Sequence, residues 1–156
     1  FLFDQGPTRG LSKIRFHDYS EVFARFDLPN VNLFVEQIDT FKALLFEARP
    51  DEAQTADIDF LLGLGEIFTL VVYAQLFLEN AEIYDVNRDL VEQAFDVFVR
   101  DVSRFAVQLH GKPSTTPEQM EFCLQMIRKP VVDAERFNRV WSEQVHSLRD
   151  AYEMRP

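Results

Sequence analysis

Cysteine occurs once in the 156-residue sequence, at Cys123, so no intramolecular disulfide can staple the chain. That usage fits a reducing compartment and a cytoplasmic location. Glycine and proline are also scarce, 5 and 7 residues, and they cluster at places that read as joints. Such sparse punctuation favours long helices over a strand-rich fold with many turns. Basic residues are outnumbered 16 to 26, for a formal net charge of −10. A surface this acidic repels phosphate backbones and anionic lipid, which argues against nucleic acid or a membrane surface as partner. No secretory signal is visible, because Phe1-Leu2-Phe3 is too short and Asp4 follows at once. The first residue is not Met, which suggests a processed product or a piece of something longer.

What is present in quantity is phenylalanine, 16 residues in a chain that is 47% hydrophobic and 27% charged. This composition belongs to a folded domain with a sizeable core, and one domain suits the length. The most apolar stretch is Ile58 to Tyr84, in which only Thr69 and Gln75 interrupt the run from Ile67 to Leu78. A helix hydrophobic nearly all round belongs inside a packed bundle or a membrane. A span needs about 18 or more apolar residues with few or no charges. Here Asp59, Glu66, Glu79 and Glu82 intrude, and a carboxylate at membrane depth costs roughly 2.5–3.5 kcal/mol. The stretch therefore reads as the central helix of a helical bundle, with no membrane span.

Residues 1–27 read as an irregular N-terminal arm, with turns at Gly6-Pro7 and Gly10 and a short helix from Ser20 to Phe26. Residues 28–156 read as the bundle. Asn30 is the expected N-cap of a first long helix reaching about Ala48, with Val31, Phe34, Ile38, Phe41 and Leu45 on one face. A polar segment, Asp51 to Thr55, leads to the central helix from about Ala56. Gly63 and Gly65 within it predict a close backbone approach or a bend. Asn87 caps a third helix whose seam Val91, Phe95, Phe98, Val102, Phe105 and Leu109 has the spacing of near-parallel packing. Gly111 and Pro113 close it. Thr116, Pro117 and Gln119 form a capping-box start for a short helix running to about Lys129. A last helix from Asp133 places Phe137, Trp141, Val145, Leu148 and Tyr152 toward the core. The expected fold is all-α, an antiparallel bundle of four main helices plus a short extra one.

Few residues carry chemistry. Glu143 and His146 match one Glu-x-x-His pair of a di-iron bundle, but such a site needs two pairs and two further glutamates. Neither His17 nor His110 has a glutamate three positions earlier, so a metal is rejected. Glu66, in the apolar centre, is a polar candidate either as a base or ligand contact, or as an edge carboxylate paired with Arg100 or Arg104. His110, the other candidate, most simply compensates a helix dipole. Cys123 lies between Phe122 and Leu124 with no basic neighbour closer than Arg128, which suits a core residue rather than a nucleophile. No nucleophile elbow occurs, and neither Gly6/Gly10 nor Gly63-x-Gly65 completes a phosphate or dinucleotide loop. The stripe Phe95, Phe98, Phe105 reads as core.

Four stretches taken together, FDQGPTRGLSKIRFHDY, DFLLGLGEIFTLVVYAQLFLENA, VRDVSRFAVQLHGKPS and AYEMRP, resemble the C-terminal region of long actinobacterial acyl-CoA dehydrogenase-like proteins. The resemblance covers nearly the whole chain and includes no catalytic signature. It implies a parent flavoprotein that binds FAD and oxidises acyl-CoA thioesters between the α and β carbons. In that family the glutamate base commonly lies in a Tyr-Glu-Gly-Thr-like stretch, whereas here Tyr152-Glu153 is followed by Met154, and the role is not carried over. The β-rich middle domain that helps hold the flavin has no counterpart here. The resemblance thus implies an accessory bundle, with no cofactor of its own and no catalytic residue. It would pack on the parent's catalytic domain or on a second copy, through an apolar patch on an acidic surface.

Two further readings stand beside this one. A Phe-rich bundle can open a pocket for a small molecule, such as an acyl chain or acyl-CoA, as in the ligand-binding half of tetracycline-repressor-like regulators. An autonomous enzyme such as a di-iron protein is the third, and its ligand set is missing.

Overall fold

The computed structural model describes residues 18–151. They form an all-α fold, with no strand among them. The helices are α1 (Tyr19–Phe23), α2 (Pro29–Glu47), α3 (Glu52–Ala56), α4 (Ile58–Ile83), α5 (Arg88–His110), α6 (Pro117–Met126) and α7 (Ala134–Val140). Beyond α7 the chain continues as a π turn, Trp141–Val145, and a 3-10 turn, His146–Leu148. Of the earlier expectations, those for residues 1–17 and for Tyr152 fall outside the described residues.

Helix boundaries follow local capping chemistry. Asp18, Asp57, Asn87 and Asp133 each accept a backbone N–H from the first turn of the helix they precede. Two capping boxes open α3 (Asp51 with Gln54) and α6 (Thr116 with Gln119). Their glutamines also meet in the core: Gln54 Nε2 donates to Gln119 Oε1 at 2.8 Å, and Gln119 Nε2 returns a bond at 3.0 Å. The loop between α4 and α5 is short, which makes these helices antiparallel neighbours, and Asp85 within it takes φ 49°. Gly111 ends α5 at φ −82°, so it is not a left-handed cap. Helix α6 stops at Met126, three residues before the expected Lys129.

Helix α5 is the axis of the domain. It packs against α2, α4, α6 and α7, while α4 packs mainly on α5, α1 and α3. The expected seam is realised: Val91, Phe95, Phe98, Val102 and Leu109 are buried, and Phe105 is half-buried. Phe34, Phe95 and Phe98 pack edge-on or tilted at centroid distances of 5.1–6.1 Å, a geometry that adds to their area burial. Val22, Phe23 and Phe26 join the same core.

A buried polar knot ties α2, α5 and α7 together. Asn30 is not the N-cap of α2, since Leu28 holds that position and offers no side-chain bond. The cap comes instead from α5, where both carboxylate oxygens of Glu92 accept the Asn30 N–H, at 2.9 and 3.1 Å. The Asn30 side chain, thus freed, grips the backbone of Val131, accepting its N–H at 2.7 Å and donating to its carbonyl at 3.1 Å. Arg136 Nη1 lies 3.3 Å from Glu92 Oε1, and its Nη2 donates to the Val131 carbonyl at 3.1 Å. Arg139 adds two bonds to Asp89 at 2.6 and 3.1 Å.

This knot sets the rotation of α7. Arg136 and Val140 face inward, while Phe137, Trp141, Val145 and Leu148 remain about half exposed. The expectation that these four line the core is therefore corrected. A guanidinium that must reach Glu92 takes the inward position, and the π turn then rotates later residues off any common face.

Removing the cation should expose the knot's cost. Arg136→Met leaves a buried carboxylate uncompensated, so urea unfolding at neutral pH should show a loss of about 3–5 kcal/mol. Burial holds the Glu92 carboxyl above its ordinary value, against the pull of the Asn30 N–H and of Arg136. The folded chain therefore keeps a proton that the unfolded chain has released. Glu92's contribution is full in acid and is lost as pH rises through the folded value. Glu92→Gln does not titrate, so wild type should lose stability relative to it over the pH range that begins at the ordinary glutamate value and ends above the raised folded one. Melting curves across that range that diverge in the opposite sense would overturn this assignment.

Candidate functional site

The longest helix lies at the edge of the domain and not at its centre. One face of α4 is buried through Phe60, Gly63, Leu64, Ile67, Ala74, Leu78 and Ala81. The opposite face carries Ile58, Leu62 and Leu76, which are 74%, 62% and 50% exposed, and at its edge Tyr73, 57% exposed, packs edge-on against Phe98 at 5.7 Å. The expectation of a central helix fails for a simple reason. All-round apolarity shows that a helix has two faces to bury, and this fold supplies a partner for only one. By length and composition α4 is also apolar enough to cross a membrane, although its back face is occupied by α5.

Two shallow grooves run along this face and meet at Thr69. The first, about 500 Å3, is bounded by Ile58, Leu62, Gly65, Glu66 and the α5 residue Phe105. The second, about 330 Å3, is bounded by Phe68, Val72, Tyr73 and Leu76. The two glycines differ. A Cβ on Gly63 would stand 2.8 Å from Lys112 Cε, so this position makes room for the lysine stem that reaches Asp59 at 2.7 Å. Above Gly65 there is open space. Neither glycine brings a second backbone close.

The candidate residues separate in space. Glu66 is exposed at the rim of the first groove. Neither expected arginine reaches it: Arg100 pairs with Asp96 at 3.2 Å and Arg104 with Asp101 at 3.3 Å. The Glu66 side chain has no ion pair or hydrogen bond among the described residues. His110 is half-buried as the last residue of α5. Glu143 and His146 are both exposed, and no group of three metal-ligating side chains occurs among the described residues. Cys123 is fully buried, and burial pushes its thiol up to about 11. Sequence reasoning expected an apolar patch but did not place it on α4. Its signal was present in the four-three spacing of Ile58, Leu62, Gly65, Thr69, Val72 and Leu76.

Among the described residues, the α4 face offers no nucleophile–base pair and no cluster of converging polar groups. It offers an apolar surface with one carboxylate at its rim. Comparison with protein-family models, curated proteins and solved structures returns no match.

Two measurements check this description. Cys123 should resist a disulfide reagent such as dithionitrobenzoate in the native chain and react fully in denaturant, whereas fast native reaction would contradict its burial. Gly65→Ala should stabilise the chain by up to about 1 kcal/mol in urea unfolding, because an exposed helix interior gains from alanine.

Proposed function

We propose that this chain is a non-catalytic accessory domain of an acyl-CoA dehydrogenase-like flavoprotein, and that it docks on the parent's catalytic helical bundle through the exposed face of α4. One observation carries the reading: a contiguous apolar helix face on a domain whose net charge is −10. Exposed apolar patches of several hundred Å2 mark interaction sites. The family itself enters from the sequence resemblance.

Flavin chemistry would belong to the parent. The residues of this chain do not fit FAD, because the grooves are lined by apolar side chains with Glu66 at the rim, and a carboxylate there repels a pyrophosphate. The same carboxylate counts against acyl-CoA as a ligand. The second reading, a small-molecule binding module, has in its favour the apolar groove of about 500 Å3 beside Phe105, which suits an uncharged acyl chain.

The test is sedimentation of the chain mixed with the catalytic portion of its parent. A stable mixed complex is expected, and Leu62→Gln with Leu76→Gln should weaken it at least about tenfold while leaving the helical circular dichroism unchanged. Absence of a complex would remove the docking reading. A rise in melting temperature with a neutral acyl compound would then favour the binding module.

A further inference from the structure

We infer that the face of α4 receives a single partner helix, laid nearly parallel to it, whose flanks carry lysine or arginine. This inference rests on the docking reading above and adds the chemistry of the occupant. The spacing comes first. Ile58, Leu62, Gly65, Thr69, Val72 and Leu76 follow one another at four, three, four, three and four residues, the seam that a second helix crossing at about 20° requires. Eighteen residues of helix span about 27 Å, which is five turns. A small molecule would fill only one of the two grooves, whereas a helix uses both.

The middle of the seam is built for close approach. Gly65 has open space above it. Thr69 donates its hydroxyl to the Gly65 carbonyl at 2.7 Å, so this polar group is already satisfied within α4 and loses little when water leaves. Larger side chains flank this narrow waist, with Leu62 on one side and Tyr73 and Leu76 on the other.

Charge then selects among helices. Helix α4 contains Asp59, Glu66, Glu79 and Glu82 and no lysine, arginine or histidine. The cations that reach it are engaged with its own carboxylates: Arg25 with Glu82 at 2.6 Å and Lys112 with Asp59 at 2.7 Å. Glu66 is left unpaired among the described residues. A second copy would set these carboxylates against their own kind, with −10 on each chain. An anionic membrane leaflet meets the same repulsion, since interfacial helices rely on basic residues that α4 lacks. A helix with an apolar seam and basic flanks satisfies both the groove and Glu66.

The test uses the full 156-residue chain and three synthetic helical peptides of equal length in calorimetric titration. One has leucine at the seam positions with lysine flanks. The second has glutamate flanks, and the third keeps the lysine composition with the leucines scrambled. The lysine peptide alone should bind, weakening as salt rises. Glu66→Lys should cost about fivefold in affinity, and Leu62→Gln should abolish binding. Equal binding of the lysine and glutamate peptides, or of the scrambled peptide, overturns the inference. So does self-association of the chain, or uptake onto neutral phosphatidylcholine vesicles, when either is lost in Leu62→Gln. If the complex with the catalytic portion survives Glu66→Lys but not Leu62→Gln, docking stands and the basic helix falls.

Discussion

The pairing of Glu92 with Arg136 is the contact on which the rest of the domain depends. A carboxylate buried on α5 caps the start of α2 in place of a local residue, and its cation arrives from α7, 44 residues away. Buried ion pairs are weak sources of stability, because desolvation offsets most of the attraction. Their value here is positional. The pair fixes where α2 begins, which side of α7 faces inward, and how the segment around Val131 crosses the domain. Arg136 Nε and Gln37 Oε1 remain without partners among the buried side-chain atoms described, so this arrangement is held despite incomplete hydrogen bonding.

Local chemistry was legible in the sequence. Asn87, Asp133, and the Thr116, Pro117 and Gln119 start are capping signals whose partners lie within three residues, and the seam of α5 could be read from spacing alone. The box Asp51-x-x-Gln54 was equally local and marked α3, which the reading of Asp51 to Thr55 as a polar connection passed over. Contacts between distant residues were not legible. Leu28 holds the cap position of α2 because Glu92 frees Asn30 for Val131, and no local pattern near Asn30 records that. Phe137 and Trp141 had the spacing of a core face, yet Arg136 and Val140 took the inward positions. Periodicity shows which residues share a face; it does not show which face wins when a charge must be satisfied.

The same distinction explains α4. Its composition announced burial and was silent on what would supply it. Within the described residues only half of that requirement is met, so the working surface is the remainder of an incompletely satisfied helix. Glu66, singled out for its apolar surroundings, keeps its interest because it stands at the rim of that surface. The polar network elsewhere ties α2, α5 and α7 together.

The grip of Asn30 on Val131 has a kinetic consequence. The Val131 N–H sits in a segment outside any helix, where amides ordinarily exchange with solvent within the time of local fluctuations. Val131 is itself about half exposed, yet its N–H is bound at 2.7 Å to the fully buried Asn30 amide side chain, and it exchanges only when that bond opens. An irregular stretch of backbone thereby gains a protected amide, one that reports the opening of the contact between α2 and the segment before α7.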